Sequence, residues 1–86
     1  MTQVIMLTKN GCPQCVAAKM VLEKALQNKY ASNITTINKE TQTQEFETLV
    51  QQHGILSLPV FICNNTVLKN TSPSNIIAFF NQHLSA

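Results

Sequence analysis

The chain has 86 residues and a formal net charge of +2, with six lysines, no arginine and four acidic residues. A chain of this length buries about two thirds of the surface that its unfolded form exposes. This predicts one domain over residues 1–86, with a thin core and a functional site near the surface. The mild charge differs from the clustered Arg and Lys of a nucleic-acid-binding surface. The apolar runs are far shorter than the roughly 20 residues that span a bilayer, so we expect neither nucleic acid nor membrane as a partner.

The N-terminal segment and the cysteine count both indicate an intracellular protein. Residues 1–3 lack the positive charge of a signal peptide, and the apolar run at residues 4–7 is too short for its hydrophobic region. The cysteines, Cys12, Cys15 and Cys63, are odd in number, whereas secreted disulfide scaffolds normally have an even number. We therefore expect a cytoplasmic protein whose Cys-x-x-Cys pair is catalytic or binds a metal.

The first half of the chain predicts a strand, a helix and a second strand. Residues 3–7 form an apolar run with β-branched members, which is typical of a buried strand. A turn signal follows at residues 8–11. Residues 13–29 predict a helix, because Pro13 suits a first helical position and the segment contains no glycine and no further proline. Residues 34–38 predict the second strand.

The second half predicts a helix, a hairpin and a last helix. Residues 43–53 have apolar side chains on one helical face, and Gly54 is placed to end this helix. Residues 60–63 and 66–69 predict two short strands around a two-residue turn. Pro73 is placed at the first position of the last helix.

The predicted order, β-α-β-α-β-β-α, indicates an α/β domain with a four-stranded mixed sheet flanked by helices. The first strand-helix-strand unit predicts a parallel pair of strands joined by a right-handed crossover. The closing hairpin adds antiparallel strands to the same sheet. We see no repeat, linker or low-complexity segment in the sequence.

The cysteine pair falls where a loop enters the first predicted helix, with Cys12 at the boundary and Cys15 one turn further. The first N–H groups of a helix have no intrahelical acceptor and carry the positive end of the helix dipole. A thiolate at Cys12 can accept these hydrogen bonds. In Cys-x-x-Cys motifs this lowers the thiol pKa from about 8.5 to between about 3.5 and 7.5. The pattern predicts attack by Cys12 on a disulfide and displacement by Cys15.

The cysteine pair also has other interpretations. A structural zinc needs four ligands, and the remaining candidates, Cys63, His53 and His83, are not at ligand spacing, so we expect no metal site. A structural disulfide across four residues constrains little chain. Two alternatives remain open: an iron–sulfur cluster held by Cys12 and an external thiol, and a scaffold in which Cys12 is buried and unreactive.

Pro59 directly precedes the apolar strand predicted at residues 60–63. A proline at the first residue of a strand is permitted, which is the simplest interpretation. The alternative is a cis Leu58–Pro59 bond, which would turn the backbone N–H and C=O of Leu58 outward beside the cysteines. An extended substrate would then be able to pair with them as an added strand.

Residues 8–15, which contain Cys-Pro-Gln-Cys, residues 58–60, which are Leu-Pro-Val, and the element order resemble the glutaredoxin branch of the thioredoxin fold. The resemblance covers nearly the whole chain. It implies a thiol–disulfide oxidoreductase with Cys12 as the nucleophile, Cys15 as the resolving thiol and Pro59 as a cis-proline. It implies no cofactor beyond the redox-active disulfide, with glutathione as a candidate co-substrate.

The sequence lies between two groups of that branch. Ordinary glutaredoxins have Cys-Pro-Tyr-Cys, and they hold glutathione with a preceding lysine, a Thr-Val-Pro segment and a late Gly-Gly-x-Asp segment. Lys9 matches the lysine, but Gln14 replaces the tyrosine, and Pro73 in the late segment has no N–H for a carboxylate. NrdH-redoxins resemble this chain in Cys-x-Gln-Cys and Leu-Pro-Val. They are reduced by thioredoxin reductase and supply electrons to a ribonucleotide reductase.

The resemblance to NrdH-redoxins predicts a monomeric electron donor to protein disulfides. Thioredoxin reductase is then the expected reductant and ribonucleotide reductase a candidate recipient, while reduction by glutathione is the alternative. Lys9 either stabilises the Cys12 thiolate, holds a ligand carboxylate or is a solvated loop residue. The residues expected to contact the substrate are Lys9, Pro13, Gln14, Leu58 and Pro59.

The remaining notable side chains have simpler interpretations. Cys63 alternates with Ile62 on a predicted strand and is expected to be a small packed hydrophobe, with a regulatory thiol as the alternative. His53 and His83 lie near helix C-termini, where an imidazole suits the dipole without any catalytic role. The four phenylalanines are expected mainly in the core.

Overall fold

A computed structural model describes residues 3–84 and contains one four-stranded mixed sheet. Its strands are β1 (Val4–Thr8), β2 (Ile34–Asn38), β3 (Val60–Cys63) and β4 (Thr66–Leu68), in the order β2-β1-β3-β4. β1 runs parallel to β2 and antiparallel to β3, and β3 runs antiparallel to β4. The predicted parallel pair and the predicted hairpin are both confirmed.

Three α-helices flank the sheet: α1 (Pro13–Met20), α2 (Thr43–His53) and α3 (Pro73–Leu84). α1 and α3 begin at the prolines that the sequence placed at first helical positions. Gly54 ends α2 with a φ of 62°, and its N–H donates to the carbonyl of Val50. Glycine adopts this left-handed conformation without a steric penalty. This is why Gly54 correctly predicted the end of α2.

The prediction of a helix through residue 29 is wrong. After α1 the chain makes one π-helical turn, Val21–Ala25, and leaves the helix at Leu26. Gln27 and Asn28 have φ values of 53° and 56°. This left-handed region ends many helices, and asparagine enters it more readily than most residues do. Neither glycine nor proline marks the turn, so the sequence pattern did not reveal it.

The early turn brings the following residues into the core. Leu26 and Tyr30 are 9 % and 6 % exposed. The Tyr30 ring stacks on Phe80 with 5.7 Å between ring centroids, and its hydroxyl donates to Oδ1 of Asn81 at 3.1 Å. The burial of these side chains is the physical reason why the chain turns back toward the sheet.

The core lies on both faces of the sheet, because successive side chains of a strand point to opposite faces. On one face, Val4 and Met6 of β1 pack with buried residues of α1 and α3. On the other face, Leu7 of β1 packs with Phe46 of α2. The phenylalanines expected in the core are buried: Phe46, Phe61, Phe79 and Phe80.

Candidate active site

The candidate active site is built on the N-terminus of α1, where Cys12 is the N-cap residue. Cys12 and Cys15 form a disulfide, with their Cα atoms 5.2 Å apart. The backbone N–H of Cys15 donates to Sγ of Cys12 at 3.1 Å. The backbone N–H of Val16 donates to the carbonyl of Cys12 at 3.1 Å, which begins the helical ladder. The predicted position of Cys12 at the helix start is confirmed.

The hydrogen bond to Cys12 Sγ has a chemical consequence. An N–H group at the start of a helix lacks an intrahelical acceptor and lies at the positive end of the helix dipole. When Cys12 is reduced, the same N–H is placed to favour its thiolate over its thiol. Cys15 lies one turn further along α1, within disulfide distance of Cys12. It can therefore attack a mixed disulfide on Cys12 and displace the thiolate bonded there.

Both cysteines lie beside an open surface groove of about 440 Å³. Cys12 is 5 % exposed and Cys15 is 2 % exposed in the disulfide form. The low exposure of Cys12 is what the scaffold alternative, with a buried and unreactive Cys12, predicts. However, Cys12 also lines the groove. A substrate lying in this groove would therefore be adjacent to the disulfide.

The loop that carries Cys12 is tied to the turn after β2. The side chain of Asn38 donates from Nδ2 to Oδ1 of Asn10 at 3.1 Å. Its Oδ1 accepts from the backbone N–H of Glu40 at 2.8 Å and of Thr41 at 3.3 Å. The carboxylate of Glu40 accepts from the backbone N–H of Asn10 at 3.3 Å. These bonds fix the loop just before the cysteines.

The Leu58–Pro59 peptide bond is cis, as the second interpretation of Pro59 predicted. Pro59 is buried and Leu58 half-buried. Leu7 pairs with Val60 across β1 and β3, so Pro59 lies at the level of Thr8. Thr8 in turn lines the groove beside the cysteines. The register therefore places the cis bond at the sheet edge that carries the cysteine pair.

The other predicted contact residues divide between two grooves. Lys9 and Pro13 line the groove that contains the cysteines. Lys9 also lines a second groove of about 190 Å³ together with Leu58. Gln14 is exposed on the first turn of α1 and lines neither of these grooves. The fold thus brings Lys9, Pro13 and Leu58 to one end of the sheet, and their roles stay predictions.

Three residues that the sequence reasoning did not single out also line the cysteine groove: Val16, Lys19 and Asn38. Asn38 is the last residue of β2 and pairs with Thr8 of β1. Because the carboxyl ends of parallel strands lie at the same edge of a sheet, the predicted β1–β2 pair already implied this neighbour. Whether Val16 and Lys19 face the groove depends on how α1 is rotated about its own axis, and the sequence alone did not define this rotation.

Cys63 lies away from this site, on β3, and its side chain is 0 % exposed. Burial raises the pKa of the Cys63 thiol above its ordinary value. This confirms the interpretation of Cys63 as a small packed hydrophobe. Its neighbours in the core include Val4 and Phe61.

Residues 3–84 contain no cluster of three or more His, Cys, Asp and Glu side chains that could hold a metal ion. His83, near the end of α3, has its ring 4.5 Å from that of Phe79. Within the same residues, no helix combines the length and apolar character that a membrane crossing requires.

This chain has a thioredoxin-like fold, as comparison with solved structures shows. The thioredoxin Mala s 13 of Malassezia sympodialis superimposes with a TM-score of 0.69 over 95 % of this chain and 74 % of its own, at 21 % identity. A malarial protein superimposes with a TM-score of 0.63 over 98 % of both chains, also at 21 % identity. At such identity these likenesses establish the fold alone. No protein-family model matches the chain, and a search of curated protein sequences also finds no match.

Proposed function

We propose that this protein is a thiol–disulfide oxidoreductase that donates electrons to disulfides of proteins through Cys12 and Cys15. The observation that carries the proposal is the Cys12–Cys15 disulfide at the start of α1, where a helix N–H donates to Sγ of Cys12 beside an open groove. The thioredoxin-like fold and the Cys-Pro-Gln-Cys motif support the same conclusion.

The reaction starts from the reduced protein. The Cys12 thiolate attacks one sulfur of the substrate disulfide, forms a mixed disulfide and releases one substrate thiolate, which takes up a proton. Cys15 then loses its proton and attacks Sγ of Cys12, which forms the Cys12–Cys15 disulfide and releases the second substrate thiolate. The substrate gains two electrons and two protons. The protein gives up two electrons and is returned to the dithiol by an external reductant.

The segment around Leu58 is proposed to hold the polypeptide that carries the substrate disulfide. Neither backbone group of Leu58 forms a hydrogen bond within residues 3–84. The cis bond to Pro59 lies at the same sheet edge as the cysteines. An extended substrate can therefore add its own N–H and C=O groups to Leu58, as in strand addition.

Thioredoxin reductase is proposed as the reductant, with a ribonucleotide reductase as a candidate recipient, as in the NrdH-redoxins that the sequence resembles. Two observations on the late segment argue against glutathione. Pro73 offers no N–H, and the N–H of Ser72 already donates to Oδ1 of Asn70 at 3.4 Å. A ligand carboxylate that lacks one charge-assisted hydrogen bond loses about 1.5–3 kcal/mol, or roughly ten- to a hundredfold in affinity.

Substitution of each cysteine tests the proposed chemistry. We expect Cys12→Ser to abolish reduction of a disulfide-containing protein, because it removes the thiol at the start of α1 to which the first attack is assigned. Cys15→Ser should trap the mixed disulfide on Cys12, which mass spectrometry detects as an adduct. Cys63→Ala is the matched control and should retain the activity, because Cys63 is buried on β3. Full activity of Cys12→Ser, or an adduct on Cys15 instead of Cys12, would contradict the assigned roles.

The electron donor is tested separately with NADPH consumption. The oxidised protein is supplied either with thioredoxin reductase or with glutathione and glutathione reductase, at matched concentrations. We expect fast turnover with thioredoxin reductase and weak turnover with glutathione. The opposite result would make the protein a glutathione-dependent reductase while leaving the chemistry of Cys12 and Cys15 unchanged.

A further inference from the structure

Three of the six lysines lie around the two grooves at the active-site edge of the sheet. Lys9 and Lys19 line the groove beside the cysteines. Lys9 and Lys39 line the second groove, which also contains Leu58. Because Lys9 belongs to both, the grooves meet at its side chain. We call Lys9, Lys19 and Lys39 together the lysine rim.

The topology of the sheet explains why these cations converge. Lys9 follows the last residue of β1 and Lys39 follows the last residue of β2, and these two strands are parallel. The backbone N–H of Lys39 donates to the carbonyl of Thr8 at 3.0 Å, which holds the two strand ends together. Lys19 is contributed by α1, seven residues after Cys12.

No ion pair involves the lysine rim within the described part of the chain. None of the three lysines forms an ion pair with a carboxylate in residues 3–84, and all three are exposed. The carboxylate of Glu40, which follows Lys39 in the chain, accepts a hydrogen bond from the backbone N–H of Asn10 and keeps its negative charge. Glu23 shares a different groove with Lys19 but forms no ion pair with it. Three lysines therefore face two carboxylates, and the lysine rim keeps an excess of positive charge around the two grooves.

Exposed apolar side chains accompany the lysine rim. Val16, which lines the cysteine groove, is 57 % exposed, and Met20 on the next turn of α1 is 51 % exposed. Leu56, in the second groove, is 98 % exposed. Apolar contacts surrounded by charged side chains are the usual arrangement of a transient protein–protein interface.

We propose that the lysine rim selects protein substrates whose reactive disulfide is flanked by acidic residues. The inference rests on the proposed function, and it assigns the substrate a chemical class. The partner's carboxylates lie against Lys9, Lys19 and Lys39 while its cystine lies at Cys12. The occupant is a polypeptide segment, because the exposed apolar side chains extend along α1 and across the second groove.

Electrostatic attraction of this kind acts mainly on the encounter rate. Complementary charges raise association rates, and the effect falls steeply as ionic strength rises. The screening length is about 10 Å at 0.1 M salt, so exposed lysines influence a partner only over short distances at physiological salt. The proposal thus predicts a substrate preference that is large at low salt and small at high salt.

The experiment uses three synthetic peptides that contain the same disulfide loop, flanked by two Glu, two Gln or two Lys residues. The reduced protein is mixed with each peptide at 20 mM and 300 mM salt, and the second-order rate constant of thiol transfer is measured. At low salt we expect the acidic peptide to react about three- to tenfold faster than the neutral one, and the basic peptide to react slowest. The differences should narrow at high salt.

Lysine variants test whether the rim is responsible. The double variant Lys19→Gln, Lys39→Gln should lose most of the preference for the acidic peptide. Lys24→Gln is the matched control, because Lys24 is an exposed lysine twelve residues after Cys12, roughly 18 Å away along a helix. It should retain both the basal rate and the preference.

The possible outcomes separate this inference from the proposed function. If none of the three peptides is reduced, the proposed function itself fails. Equal rates for the three peptides would leave the function standing and overturn the selection of acidic substrates. If the double variant slows only the reaction with glutathione disulfide, the lysines serve a small ligand and the inference is also overturned.

Discussion

At the scale of single residues, Asn38 connects the end of β2 to the loop that carries Cys12. Its side chain forms three hydrogen bonds, two as acceptor within its own turn and one as donor to Asn10. Asn10 lies two residues before Cys12, and its N–H also donates to Glu40. The loop before Cys12 is thus held from the neighbouring strand and not by α1 alone.

Substitution of Asn38 should therefore loosen the active-site loop. Asn38→Ala loses all three side-chain bonds, and we expect a loss of about 1–2 kcal/mol in the free energy of unfolding, since these groups are partly solvated. Asn38→Asp retains the acceptor oxygen and loses the donor to Asn10, so it should cost less. Urea denaturation measures both. An Asn38→Ala variant as stable as the wild type would contradict the role assigned to this side chain.

Residues of this kind were harder to predict than the cysteines. The spacing of Cys12 and Cys15 and the entry into a helix are local features, so the sequence predicted where the disulfide-bonded pair lies. Asn38 acts on Asn10, which lies 28 residues earlier in the chain. The predicted pairing of β1 with β2 placed Asn38 near the site, but it did not define the side-chain hydrogen bond that joins Asn38 to Asn10.

At the scale of elements, the sequence predicted the end of α2 correctly and the end of α1 incorrectly. Gly54 ends α2 in the left-handed conformation, as predicted. The end of α1 was predicted too late, because Gln27 and Asn28 adopt positive φ values without glycine. The energy that compensates this conformation comes from the burial of Leu26 and Tyr30, a tertiary effect that local patterns do not contain.

Gly54 allows the contribution of a helix end to be measured. A Cβ added at Gly54 would meet no atom within 4 Å, so the cost of Gly54→Ala comes from the backbone conformation alone. We expect a loss of about 1–2 kcal/mol in unfolding free energy. Gly54→Asn should cost less, because asparagine tolerates this region better. If thermal denaturation found the alanine variant no less stable than the asparagine variant, the conformational explanation would be wrong.

At the scale of the whole molecule, the sequence predicted the order of elements and the mixed sheet because hydrophobic patterns and turn signals agreed along most of the chain. The Leu58–Pro59 cis bond was also predicted, from the position of Pro59 before a strand together with the resemblance to the glutaredoxin branch. Which lysines line the two grooves on either side of Lys9 was not predicted, because Lys19 and Lys39 come from separate elements. Their arrangement is a property of the assembled fold.

The burial of Cys63 makes this thiol a natural reporter of how often the whole molecule opens. Its side chain lies on β3 with 0 % exposure, so a thiol reagent cannot reach it in the native state. Burial also raises the pKa of the Cys63 thiol, which disfavours the reactive thiolate. In a Cys12→Ser, Cys15→Ser variant, Cys63 is the one remaining cysteine of the sequence. We expect maleimide to label it at least ~10³-fold more slowly than an unfolded peptide, in proportion to the population of open molecules. Labelling as fast as in the peptide would mean that β3 is exposed in solution.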